Sequence, residues 1–151
     1  MANDEPRKKN PIGATGKTVA ANVKRLREDQ RLAFTELAAI LDRIGKPIPT
    51  LGLRHIEAEK RRVDSDDLVA LAVALGVTPA ALLMPGEYPN GARIDALDTV
   101  HVTGVEEPVM AINLWHWLTA TDSLEGDINL FIARSWPHWQ RYAWNQKLES
   151  E

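Results

Sequence analysis

The chain has 151 residues, 44% hydrophobic and 26% charged, the balance of one ordinary globular domain or two very small ones rather than of a disordered segment. It has no cysteine, which excludes disulfide frameworks, thiolate zinc sites and cysteine nucleophiles together, and it lacks any run of about 18 apolar residues, so no membrane span is expected. The net charge of −3 is uneven: residues 1–84 carry 14 Lys and Arg against 11 Asp and Glu, residues 85–151 carry 4 against 10, and such a split points to two surfaces with different partners.

Residues 1–14 are polar and read as a flexible arm, whose Arg7, Lys8 and Lys9 are a solvated tail or a phosphate contact. Met1 to Pro11 has no apolar h-region and gives no secretory signal; with the missing cysteines, this leads to a cytoplasmic expectation. A first helix is predicted over Gly16 to Asp29, with Val19, Val23 and Leu26 on one stripe. A second runs from Phe34 to Ile44 with Leu37, Ala38, Leu41 and Ile44 inward, and Gly45 to Pro49 must end it because neither proline continues a helical ladder. Thr50 to Ala58 is a short third helix with Leu53 and Ile56 facing in, followed by the basic loop Lys60-Arg61-Arg62. Asp64 caps a fourth helix, Ser65 to Leu75, which buries Leu68, Leu71, Ala72 and Leu75 and stops at Gly76. Thr78-Pro79 starts a fifth, ending near Met84.

Pro85 to Gly91 is rich in Pro and Gly, so residues 86–103 read as a linker in which Val100 and Val102 alternate as a weak strand signal. Beyond it lie all five tryptophans, between Trp115 and Trp144. Pro108 to Thr119 is predicted helical with Ile112, Trp115 and Leu118 or Thr119 on one side. Ile128 to Ala133 is strand or helix. Ser135-Trp136-Pro137 opens a last helix carrying Trp139, Ala143 and Gln146 along one side.

Chemical signals are few. Gly16-Lys17-Thr18 resembles the end of a phosphate-binding loop, but Pro11 stands where its first glycine belongs and no strand precedes it, so a glycine-containing helix start is the better reading. His55, His101, His116 and His138 share no metal-ligand spacing. Adjacent carboxylates such as Glu106-Glu107 and Asp66-Asp67 do not flank a substrate. No enzyme activity, metal or cofactor is expected.

The helix pattern from Gly16 to Met84 is the strong signal. Val23, Leu26 and Arg27; Leu32, Glu36, Leu37 and Ala38; Leu53, Ile56 and Glu57; and the run VDSDDLVALAVALGVTPAALL from Val63 to Leu83 resemble the five-helix Cro/C1-type (XRE) helix-turn-helix family, in a variant similar to actinobacterial and phage regulators. Two positions depart from the family: its helix-two cap, Ser or Thr, is Ala33 here, and its glycine behind helix three is Glu59. The resemblance implies a mainly α helix-turn-helix DNA-binding domain over 15–85; composition and periodicity add a Trp-rich, mostly helical segment over 104–151 with short strands near it.

The resemblance also implies double-stranded DNA as partner, with helix Thr50 to Ala58 in the major groove, which is wide enough for an α-helix. Base contacts then fall to Thr50, Leu51, Gly52, Arg54 and His55. Arg54 suits guanine, Leu51 suits a thymine methyl or packs in the core, and Gly52 admits close backbone approach. Phosphate contacts fall to Thr35, Lys46, Lys60, Arg61 and Arg62. Asp64, Asp66 and Asp67 are expected to face away from DNA. By the same resemblance Arg27 and Glu57 form an internal ion pair. The Trp-rich segment is read as core packing within one chain, a homodimer interface or a protein-binding surface. The expected function is a sequence-specific transcriptional regulator, a repressor by type; the alternative is a protein-interaction module or antitoxin that uses the same fold without independent DNA regulation.

Overall fold

Apolar residues spaced three and four apart give the chain its dominant element. The computed structural model describes residues 10–149, and among these stand eight helices and two strands of two residues each. Residues 1–9, most of the expected arm, lie outside the described part. Contacts divide the chain into two units that meet in sequence at Val77 and Thr78.

The first unit holds α1 (Ala14–Asp29), α2 (Phe34–Arg43), α3 (Thr50–Glu57) and α4 (Ser65–Leu75), with α1 and α2 each packing on both α3 and α4. Their stripes converge: Val19, Ala20 and Val23 from α1, Leu37 and Leu41 from α2, Leu53 and Ile56 from α3, and Ala70, Leu71, Ala72 and Leu75 from α4 are all buried, with Ile48 from the α2–α3 turn. Three expected core residues, Leu26, Ala38 and Leu68, are only half-buried. Ile44 is exposed because α2 ends at Arg43 and leaves it at the C-cap.

The helix ends use local chemistry. Asp64 Oδ1 accepts from the Asp67 amide at 2.8 Å, and Gly76 closes α4 in the left-handed conformation, φ +71°. At α2, where Ala33 has no acceptor, Glu36 Oε2 instead reaches back to the Ala33 amide at 2.6 Å. Arg31 and Glu59, behind α1 and α3, are also left-handed, at φ +56° and +59°, without being glycine. Gln30 Nε2 donates to the Leu75 carbonyl at 2.9 Å and joins the ends of α1 and α4. At the start of α1, a Cβ on Gly16 would meet Ile12 Cγ2 at 2.6 Å, so this glycine makes room for a side chain.

The second unit begins with α5 (Pro79–Leu83), capped by Thr78 Oγ1 on the Ala81 amide at 3.0 Å. This helix, expected to complete the first bundle, groups instead with α6 (Ala111–Leu118), on which it packs. The expected linker is folded: Glu87 bridges Arg93, and the Tyr88 amide donates to the Ala92 carbonyl at 2.8 Å. β1 (Thr99–Val100) pairs antiparallel with β2 (Val109–Met110), Val100 opposite Val109. Val100, Ala111 and Leu114 form the buried cluster here, with Met84, Ile94, Val102, Val109 and Leu118 packed against it.

The α6 face therefore differs from expectation. Positions 111, 114 and 118 dock inward at helical spacing, whereas Trp115 is exposed. Ile128 to Ala133 resolves as helix within α7 (Ile128–Ser135), because Asp127 Oδ1 accepts from the amides of Asn129 (2.8 Å) and Leu130 (3.1 Å). In α8 (His138–Glu149), Trp139, Ala143 and Gln146 are all exposed. A tryptophan core does not form. Trp136 is half-buried, donating from Nε1 to the Ala120 carbonyl at 2.7 Å and meeting Trp144 edge-on at 5.7 Å, while Trp115, Trp117, Trp139 and Trp144 are exposed.

Candidate nucleic-acid interface

Helix α3 is short, and one face of it is wholly committed to the core. Leu53 and Ile56 are fully buried. Leu51, Arg54 and His55 are exposed, and Thr50 and Gly52 are half-buried. Leu51 is 63% exposed, which excludes its core-packing reading.

The helix is tied to α1 by a bidentate ion pair. Arg27 Nε lies 2.6 Å from Glu57 Oε1, and Nη2 lies 3.0 Å from Oε2. The side chains are 12% and 7% exposed, so solvent screens the pair little. Hydrogen bonding to Glu57 raises the Arg27 pKa above its ordinary value, so the guanidinium stays charged. Its Nη1 donates to the Leu32 carbonyl at 2.9 Å.

Phe34 is a member of this site that the sequence reading does not include. Its ring stacks under two guanidinium groups, Arg27 at 4.1 Å and Arg54 at 4.5 Å from the centroid. The Arg54 guanidinium thus rests its face on the same ring that backs the ion pair. The available signal is an aromatic at the first position of α2, beside Ala33, which makes no side-chain cap.

The cations expected on phosphate are not equivalent. Thr35, in the first turn of α2, and Lys60 are exposed. Arg62 donates from Nη2 to the carbonyls of Asn10 and Pro11, the latter at 2.6 Å, and so fastens the chain ahead of α1. Arg61 Nη2 meets Asp67 Oδ2 at 3.0 Å, and Lys46 Nζ lies 3.7 Å from Asp67 Oδ1. Of the three carboxylates at the α4 start, all expected to face away from DNA, Asp67 stands apart from the other two. Asp64 and Asp66 are exposed, but Asp67 is buried and turned toward Lys46 and Arg61. Its position one turn before Ala70 and Leu71 puts it on the inward side of α4.

Gly52 has a neighbour that the sequence does not predict. Its open side is covered by Arg61, whose Nη1 occupies the space a Cβ would take. The space beside this glycine holds an arginine of its own chain.

No protein-family model, curated protein or solved structure matches this chain. Among the described residues, no group of three His, Asp or Glu is placed to hold a metal, and no helix is long and apolar enough to cross a membrane. In the second unit a cleft of about 400 Å³ lies between α7 and α8, lined by residues that include His138, Arg141 and Trp144. Arg141 Nη1 is engaged there by the Ala133 carbonyl at 2.8 Å, and no carboxylate lines the cleft to pair with His138 for acid–base chemistry.

Proposed function

We propose that this chain is a sequence-specific, DNA-binding transcriptional regulator of the Cro/C1 helix-turn-helix type, acting as a repressor, with α3 in the major groove. One observation carries the reading. α3 has its rear face sealed by Leu53 and Ile56 and its position set by Arg27–Glu57, while Leu51, Arg54 and His55 project outward. A reading helix needs this combination: rigid support behind and unpaired edges in front. Arg54 supplies the bidentate donors suited to guanine, and Leu51 an apolar surface suited to a thymine methyl.

Selection of bound sequences from random double-stranded DNA by the purified chain tests the reading. The expected result is an enriched motif. On that motif, Arg54→Ala costs about 1–3 kcal/mol of binding and relaxes preference at one base position. Unchanged affinity of Arg54→Ala and Leu51→Ala for both selected and scrambled DNA would remove α3 as the reading element.

The second reading, a protein-interaction module or antitoxin on the same fold, draws on the engagement of Lys46, Arg61 and Arg62 by groups of the chain itself. It predicts no motif from the selection.

A further inference from the structure

We propose that Gly52 and Asp67 form a seat for the Arg61 guanidinium, and that Asp67 is a positioning residue which presents this cation, already ordered, to a DNA phosphate beside α3. The phosphate part rests on the DNA reading proposed for α3; the seat itself does not.

Gly52 lies inside α3, where glycine is among the poorest helix formers. Its φ is not in the left-handed region, so the backbone there does not require glycine. The space does. A Cβ on Gly52 would run into Arg61 Nη1 and would press on Ile48 Cγ2 at 3.1 Å. The helix gives up a side chain at this position, and Arg61 fills the gap.

Asp67 holds the other side. Its side chain is 4% exposed, and a carboxylate so buried needs charged partners. It accepts from Arg61 Nη2 at 3.0 Å, and Lys46 stands 3.7 Å away on its other oxygen. The Arg61 amide donates to the His55 carbonyl at 3.1 Å, which fixes the stem of the side chain to the end of α3. The Arg61 side chain is nonetheless 39% exposed. A guanidinium has five N–H donors, so one bond to Asp67 leaves donors for an incoming oxyanion.

A cation held in this way loses little rotamer freedom when it meets a phosphate. Lys60, next in the loop and exposed, has its freedom still to lose. Of the two neighbouring cations, Arg61 therefore contributes more to affinity.

The test combines a stability cycle with binding at several salt concentrations. In the stability cycle, Gly52→Ala lowers the urea midpoint when Arg61 is present, by displacing the guanidinium from Asp67. In an Arg61→Ala background the same change costs less, because only the Ile48 Cγ2 contact then opposes the gain in helix propensity. Equal effects of Gly52→Ala in the two backgrounds overturn the seat, with no DNA involved. In the binding arm, on a selected duplex, Gly52→Ala, Asp67→Asn and Arg61→Ala each weaken binding by about tenfold. Each also lowers the slope of log K against log salt by about 0.9, the signature of one lost phosphate contact. Gly52→Ala adds nothing once Arg61 is alanine, and Lys60→Ala has the smaller effect. An intact seat with wild-type affinity and salt slope in Gly52→Ala and Asp67→Asn overturns the positioning role and makes the cluster purely structural. Absence of DNA binding by the wild-type chain overturns the DNA reading and the phosphate role together, while the stability cycle still decides the seat.

Discussion

The two units use their large apolar side chains in opposite ways. In the first, Val23, Leu37, Leu41, Ile48, Leu53, Ile56 and Leu71 are fully or almost fully buried, and four helices share one core. In the second, the buried cluster is Val100, Ala111 and Leu114, while Trp139, Tyr142, Trp144 and Leu130 are exposed. The difference teaches that apolar mass is not core. A leucine at helical spacing between two neighbours finds an interior. A tryptophan on a terminal helix with few neighbours stays outside, whatever area it offers to bury.

Mutations sharpen that contrast, and the spectroscopy favours the experiment. All five tryptophans lie in the second unit, so their fluorescence follows that unit while far-ultraviolet circular dichroism follows both. Among the largest expected effects is Glu57→Ala, which leaves the largely covered Arg27 guanidinium with only the exposed Glu28, at 3.7 Å, as a carboxylate partner and costs about 3 kcal/mol in urea unfolding. Replacing both residues together, Arg27→Met with Glu57→Leu, recovers most of that loss. Leu53→Ala and Leu114→Ala follow, each at about 2–5 kcal/mol. The first moves the dichroism midpoint and the second the fluorescence midpoint. A single shared transition for both would show that the two units unfold together. Asp64→Ala and Asp127→Ala each remove a helix cap, one per unit, and cost about 1 kcal/mol. Smallest is Trp139→Ala. The side chain is 71% exposed, and its loss changes stability by no more than about 0.5 kcal/mol. A cost near that of Leu53→Ala would show that the exposed aromatics are structural after all.

The first unit is legible in the sequence because its signals agree with one another. The i, i+4 stripes of α1 to α4, the Asp64 cap and the Gly76 stop all describe the same elements. Arg27 and Glu57, thirty residues apart, are reachable only through resemblance, since nothing local brings them together. Asp67 and Gly52 each have a partner that local sequence does not give. Each has a sufficient local explanation, a helix-start acid and a small residue at a groove-facing position, and the real partner of both is Arg61, fixed by tertiary packing. The face of α6 is misread because periodicity gives spacing but not phase. The helix begins at Ala111 rather than Pro108, and the strand pair ahead of it selects Ala111 and Leu114 for the interior. The arrangement of α7 and α8 leaves little trace, because exposed and buried aromatics look alike in a composition.

Glu59 has a consequence for directed evolution. It follows α3 with φ +59°, a conformation that strains most residues with a Cβ by about 1 kcal/mol relative to glycine and that asparagine tolerates through local hydrogen bonds of its side chain. Arg31 and Ala120 stand in the same conformation at φ +56° and +57°. A library of random variants selected for survival at raised temperature should therefore enrich Gly or Asn at positions 31, 59 and 120, none of which lies in the inward stripe of a helix. Gly76, already relaxed at φ +71°, should stay unchanged in the same selection.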